Sequence, residues 1–188
     1  MKPFSRKLKA TCGIGVLLIA SCLGANSSMA QDQQDALQTI ERFYINYFNF
    51  DIRLSPNATA PSPVLSIAFA KEIQKNALLC KKYSDWICGF GSGGDPYLNA
   101  QDHDEHLTAR NAKLQVRLSP QRRQTQDKAT VRVQFYLFPN DQTSLRVLHY
   151  RMKYEDGQWR VDDIVYDDQR SARQRIRAEI KSLLQTTK

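Results

Sequence analysis

Asp102-His103-Asp104-Glu105-His106 gathers two of the three histidines of the chain and three carboxylates into five consecutive positions. On a helical turn, His103 and His106 at i, i+3 could offer two imidazoles to one metal ion. The run has no diagnostic ligand spacing, however, and no third histidine or calcium loop follows it. The plainer expectation is the first turn of a helix whose acids suit the helix dipole, continuing into Leu107, with no cofactor. Asp162-Asp163 and Asp167-Asp168 bracket Ile164, Val165 and Tyr166. Paired carboxylates perform acid and base work only where their environments separate their pKa values. In an alternating strand Asp162 and Asp163 point to opposite faces and make a poor dyad. The inward one is expected to bond backbone or an arginine, and Asp163 also stands as a candidate pocket residue. Asp167 and Asp168 most simply precede a helix and favour its N-terminus. His149 is the obvious general base to consider, but Val147, Arg151 and Lys153 share its strand face, which places it outside. No Ser/His/Asp order, glycine-rich phosphate loop or metal motif is present, so no catalytic residue is assigned.

Cysteine chemistry points to an address. Residues 1–30 have a basic start (Lys2, Arg6, Lys7, Lys9), an uncharged and mostly apolar stretch from Ala10 to Leu23, and Ser28-Met29-Ala30 before Gln31. That is the pattern of an export signal cut after Ala30, with Gly24 breaking its apolar helix. A competing cut before Cys22, after Ile19-Ala20-Ser21, would leave Cys22 diacylated and the protein tethered to a membrane. Periplasmic placement is expected, with an outer-membrane lipoprotein as the alternative. Cys80 and Cys88 are then the only cysteines in the folded part, and eight positions apart in an oxidising compartment they are expected to form one disulfide. Closing nine residues is worth about 2.6 kcal/mol by chain entropy.

Removing the leader changes the charge. The whole chain carries 27 Lys+Arg against 19 Asp+Glu, formally +8. All four charges of residues 1–30 are basic, so residues 31–188 hold 23 basic and 19 acidic groups, a net of +4. The balance is uneven: 7 basic and 10 acidic groups over 31–112, but 16 and 9 over 113–188. An exported chain with no nucleic-acid reading motif is not expected to bind nucleic acid. The surplus in its second half points to an acidic partner.

The elements that must position these groups follow from periodicity. Leu37, Ile40, Phe43, Tyr44, Tyr47 and Phe48 predict an amphipathic helix over Asp35–Phe50 with an aromatic stripe. A proline-bearing loop over 51–62 leads to Ser62-Pro63, a cap and first-turn pair for a second helix ending near Cys80. Residues 81–111, rich in glycine, read as a long loop, a kind of segment that often carries function. The period then becomes two. Lys113–Leu118, Val131–Leu137, Leu145–Glu155 and Gln158–Tyr166 are expected strands, the last two joined by Asp156-Gly157. Ser171-Ala172-Arg173-Gln174 resembles a capping box for a C-terminal helix. Helices beside four antiparallel strands make a single α+β domain over 31–188.

Phe43-Tyr44, the run Gly94-Asp95-Pro96-Tyr97-Leu98-Asn99-Ala100-Gln101-Asp102, and Trp159-Arg160-Val161-Asp162-Asp163-Ile164-Val165-Tyr166 resemble the domain-of-unknown-function 3828 family of exported or lipid-anchored bacterial proteins. The resemblance extends from about Ala36 to Ile180. It implies a nuclear-transport-factor-2-like (cystatin-like) cone, a curved sheet wrapped around a long helix, and it supplies no catalytic residue because the family has no established reaction.

Two surfaces remain as candidates. Outward strand positions Lys113, Arg117, Arg132, Arg151 and Lys153 would form a basic face for an envelope protein partner, although charge is ordinary on the outer side of a one-faced sheet. Tyr44, Tyr47, Trp159 and Asp163 could line a cavity, although such aromatics more commonly fill a core. A non-enzymatic binding module, inhibitor-like or an accessory subunit of an envelope complex, is the expectation. The alternative is a small-ligand carrier or pocket enzyme built on the same cone.

Overall fold

The computed structural model describes residues 23–50, 61–83, 88–120, 125 and 127–185, with side chains from residue 32 onward. Its elements are α1 (Leu23–Phe48), α2 (Ile67–Tyr83), β1 (Gln115–Leu118), β2 (Lys128–Tyr136), β3 (Leu145–Glu155), β4 (Gln158–Tyr166) and α3 (Ala172–Gln185). The strands form one curved antiparallel sheet in the order β1-β2-β3-β4. The architecture is therefore α+β, with three helices, one of them C-terminal. Among the described residues no helix is long and apolar enough to cross a membrane.

One face of the sheet is packed and one is largely open. Val131, Val133 and Phe135 of β2 and Leu148, Tyr150 and Met152 of β3 alternate inward and are buried. They meet the α1 stripe of Ala36, Ile40, Phe43, Tyr44 and Phe48, spaced by four, three, one and four residues. Helical and strand periods thus bury their apolar sets against each other. α1 is already helical at Leu23, the first described residue, so it extends well ahead of Asp35 and includes Gly24, which was expected to break a helix. A single glycine costs a helix only about 1 kcal/mol relative to alanine, too little to end it alone.

α2 starts one turn later than Ser62-Pro63 suggests. Val161 of β4 donates its N–H to the Val64 carbonyl at 2.8 Å and accepts from the Ser66 N–H at 2.8 Å. Residues 64–66 are thereby held extended along the free edge of β4, with Leu65 bridging Val161 in parallel. Ser66 is the cap, its Oγ accepting from the Phe69 N–H at 3.1 Å. The loop expected over 51–62 lies outside the described residues up to position 60. Residues 102–106 form an irregular turn, not a helix: the Asp104 carboxylate takes the His106 N–H and the Asp104 N–H is used by the Leu137 carbonyl.

β4 departs from simple alternation. The register passes from Arg151↔Asp163 to Met152↔Val161, so Asp162 is the extra residue of a bulge. Beyond it Asp163, Ile164, Val165 and Tyr166 are all buried. Both faces of this end are covered, the inner by the core and the outer by the start of α3, where Val165 bridges Ser171. The open outer face is consequently that of β1 to β3.

Candidate functional site

Strand pairing sets the charges of the outer face side by side. Arg117 of β1 is the Cα partner of Arg132 of β2, and Arg132 is in turn the partner of His149 of β3. One step along, Arg151 stands between Thr130 and Asp163, and Lys153 stands between Lys128 and Arg160. Cross-strand partners share a face, so Arg117, Lys128, Arg132, His149, Arg151 and Lys153 form one patch. Lys113 extends it, with its ammonium 5.4 Å from the Tyr136 ring centroid. Among the described residues Arg117 and Arg132 donate to neutral side chains of their own strands, Gln115 at 2.8 Å and Gln134 at 2.5 Å. Three acids stand beside the Arg151–Lys153 end of the patch: Asp163 pairs Arg151 at 3.1 Å, Glu155 pairs Lys153 at 2.7 Å, and Asp162 shares a hollow with both cations. Partial burial, then the Arg132 and Arg151 charges, push the His149 imidazole below its ordinary pKa of 6.5. That shallow hollow, of about 430 Å³, opens among Lys128, Thr130, Arg151, Lys153 and Asp162.

The four residues carried as a pocket do not converge. Tyr44 is fully buried and donates its hydroxyl to the Tyr97 carbonyl at 2.7 Å, so Tyr150, 2.9 Å away, donates to Tyr44. Burial holds both phenols protonated, well above the usual tyrosine range. Tyr47 donates to the Asp95 carboxylate. Trp159 packs against Tyr154 at the far hairpin, 5.5 Å between ring centroids. Asp163, 4% exposed, lies beneath α3. Its carboxylate accepts from Ser171 Oγ at 2.6 Å, the Arg173 N–H at 3.1 Å and Arg151. The expectation that Asp163 bonds backbone or an arginine describes this geometry; the expected cavity around it does not. Asp163 and Ser171, not Asp167 and Asp168, serve the N-terminus of α3, since Ser171 Oγ also accepts from the Gln174 N–H at 3.2 Å. Asp168 instead holds Arg170, and Asp167 accepts from Asn99 at 3.4 Å.

His103 and His106 are exposed, and His103 Nδ1 lies 2.9 Å from the Asp104 carbonyl oxygen. Among the described residues the only close trio of ligand-type side chains is Cys80, Cys88 and Glu179. The two sulfurs of that trio are joined in a disulfide, with Cα atoms 5.8 Å apart, so no thiolate is offered.

A feature with no linear signal is a groove of about 500 Å³ between the glycine-rich loop and α3. Three attachments fix the loop wall. The disulfide ties Cys88 to α2. Glu179 of α3 accepts from the Gly89 N–H at 3.0 Å and from Asn76 at 2.8 Å. Asp95 accepts from the Tyr97 and Leu98 N–H groups at 2.8 and 3.0 Å, besides Tyr47. Gly94 must be glycine: its φ is +125°, and a Cβ would stand 2.5 Å from the Ala100 carbonyl oxygen. The run Gly94–Asp102 is thus built first as a loop anchor.

No protein-family model matches the chain, and no curated protein matches it. A solved structure to which it is similar is the phospholipid-binding protein from Ralstonia solanacearum in complex with a phospholipid, at 14% identity. The match covers 87% of this chain and 88% of that one with a TM-score of 0.39, a superposition too loose to carry an argument about fold or ligand.

Proposed function

We propose that the protein is an exported, non-enzymatic binding module of the bacterial envelope, which captures an acidic protein partner on the outer face of its sheet. The observation that carries this reading is the adjacency of Arg117, Arg132 and His149 across three strands, with Arg151 and Lys153 beside them. Such a face draws an acidic surface to it and orients it. The cone of the domain-of-unknown-function 3828 family suits this reading, because its wide sheet is the exposed element. The interior-pocket alternative is less favoured, because Tyr44, Phe135 and Tyr150 are packed in the core with no exposed surface. Export fits the leader and the Cys80–Cys88 disulfide, with cleavage after Ala30; replacing Cys22 with Ser leaves soluble recovery from the envelope unchanged on this reading.

Crosslinking in the periplasm followed by mass spectrometry tests the proposal. One acidic protein is expected to be joined reproducibly to the wild-type chain and lost when Lys113, Arg132 and Arg151 are changed to Glu. An adduct unaffected by that triple reversal would remove the sheet face from the account.

A further inference from the structure

The groove between the glycine-rich loop and α3 has features that the fold alone does not require. Gly89, Gly91 and Gly94 all have positive φ and are glycines for backbone reasons. Gly93 is not: its φ lies outside the left-handed region, and a Cβ built on it meets nothing within 4 Å. Neither conformation nor packing excludes a side chain there, yet Gly93 lines the groove, where a side chain would take up space that a ligand could use.

The opposite wall carries two opposite charges. Arg175 and Glu179 lie four residues apart on α3, hence on one face and about 6 Å apart along the axis. This spacing ordinarily makes an ion pair, but the two are turned apart. Glu179 directs Oε2 to Asn76 and the Gly89 N–H, and both hydrogen bonds fall on that one oxygen. Arg175 lies over the Tyr166 ring, its guanidinium carbon 6.0 Å from the centroid; its charge is felt by Asp168, but it makes no ion pair within 4.0 Å among the described residues. The other charged lining groups are already engaged, Arg170 by Asp168 and Asp95 by Tyr47 and two amides. What the groove offers a ligand is one guanidinium and one carboxylate oxygen, separated across Ile176.

We infer that this groove is a second binding site, for a zwitterionic small molecule of amino-acid or short-peptide size. The ligand carboxylate meets Arg175 in the two-pronged geometry that guanidinium favours, and its ammonium meets Glu179. The ligand backbone lies against the bare main chain at Gly93 and Gly94. A volume of about 500 Å³ is within the range of small-molecule sites. The loop is fixed beforehand by the disulfide, Glu179 and Asp95, so little ordering remains to oppose binding.

The test is an amide NMR titration of the purified protein with Ala-Ala dipeptide, beside N-acetyl-Ala-Ala, which lacks the ammonium, and Ala-Ala amide, which lacks the carboxylate. Shifts confined to Gly89–Gly94 and the first turns of α3 are expected with Ala-Ala, weakened about tenfold or more for either blocked form, the effect of one lost charge-assisted contact. Gly93→Leu and Arg175→Glu should abolish the shifts while keeping the wild-type spectrum elsewhere, since Gly93 is unstrained and Arg175 is exposed. The inference is overturned by an absence of shifts up to roughly 10 mM Ala-Ala, an affinity too weak to count as recognition. Equal binding of the blocked forms, or undiminished shifts in Gly93→Leu, would overturn it as well.

Discussion

Asp163 shows how one side chain can be fixed by structure and still mislead as chemistry. A buried carboxylate on a strand invites a catalytic reading, yet both its oxygens are engaged: one by Ser171 Oγ and Arg151, the other by backbone N–H groups of Ile164 and Arg173. It locks the start of α3 onto β4. Asp163→Ala should lower unfolding stability in urea by about 2–3 kcal/mol, because it strands a buried hydroxyl and an amide. Arg151→Ala should cost under about 1 kcal/mol, since that guanidinium is mostly in water. Equal losses for the two variants would contradict the assignment of Asp163 to the helix start. Sequence alternation puts one of Asp162 and Asp163 inward, but the bulge at Asp162 breaks that alternation. Asp163 is buried on the outer face, beside Arg151, because α3 covers it. Alternation could not show that Asp163 caps a helix eight residues later, because the link runs through space.

At the scale of elements, α2 and α3 are joined by Glu72, which accepts from Arg173 at 2.6 Å and from Arg177 at 2.7 Å. Arg173 also reaches Asp162 at 2.8 Å. The hydrogen bond from Arg173, which outweighs the opposing effect of burial and is joined by one from Arg177, holds the Glu72 carboxyl down at about 2, from an ordinary 4.5. A carboxyl with a lowered folded pKa stabilises fully above its unfolded value, and the contribution fades as pH falls through the folded one. The Glu72 share of stability is therefore present above about pH 4.5 and disappears toward about pH 2. Glu72→Gln should be less stable at neutral pH, and its deficit relative to wild type should shrink across that window in thermal melts at stepped pH. A deficit that stays constant down to pH 2 would mean that Glu72 acts by packing and not by charge.

The same scale shows what a linear pattern can and cannot specify. β3 and β4 run from Leu145 to Glu155 and from Gln158 to Tyr166, as their alternation and the Asp156-Gly157 turn predict. These signals are local: the two-residue period and a turn that needs positive φ, which Asp156 and Gly157 both adopt. The start of α2 is not local. Ser62-Pro63 is a sound helix start in isolation, but the edge of β4 recruits Val64–Ser66 as backbone partners and delays the helix to Ile67. The expected turn of helix at Asp102–His106 likewise yields to the carbonyl of Leu137, which takes the Asp104 N–H.

On the scale of the whole molecule, the basic surplus of the second half becomes a surface because three strands align it. The charges of Arg117, Arg132 and Arg151 are scattered in sequence and adjacent only through register. The aromatic set divides the other way: Tyr44 fills the core, Tyr47 anchors a loop and Trp159 closes a hairpin, so residues of one type serve separate places. The groove beside α3 has no counterpart in any local pattern, since its two walls come from segments about 75 residues apart in the chain.

The outer face is the central claim, and site-specific photocrosslinking in the cell tests it most directly. A photoreactive residue placed at Gln134, amid Gln115, Arg132 and Val147, should form an adduct with an acidic envelope protein, and the adduct should vanish when Arg132 and Arg151 are changed to Glu. The same residue at Gln174, exposed on α3, should form none. An adduct from Gln174 with none from Gln134, or a Gln134 adduct that survives the reversal, would contradict the claim.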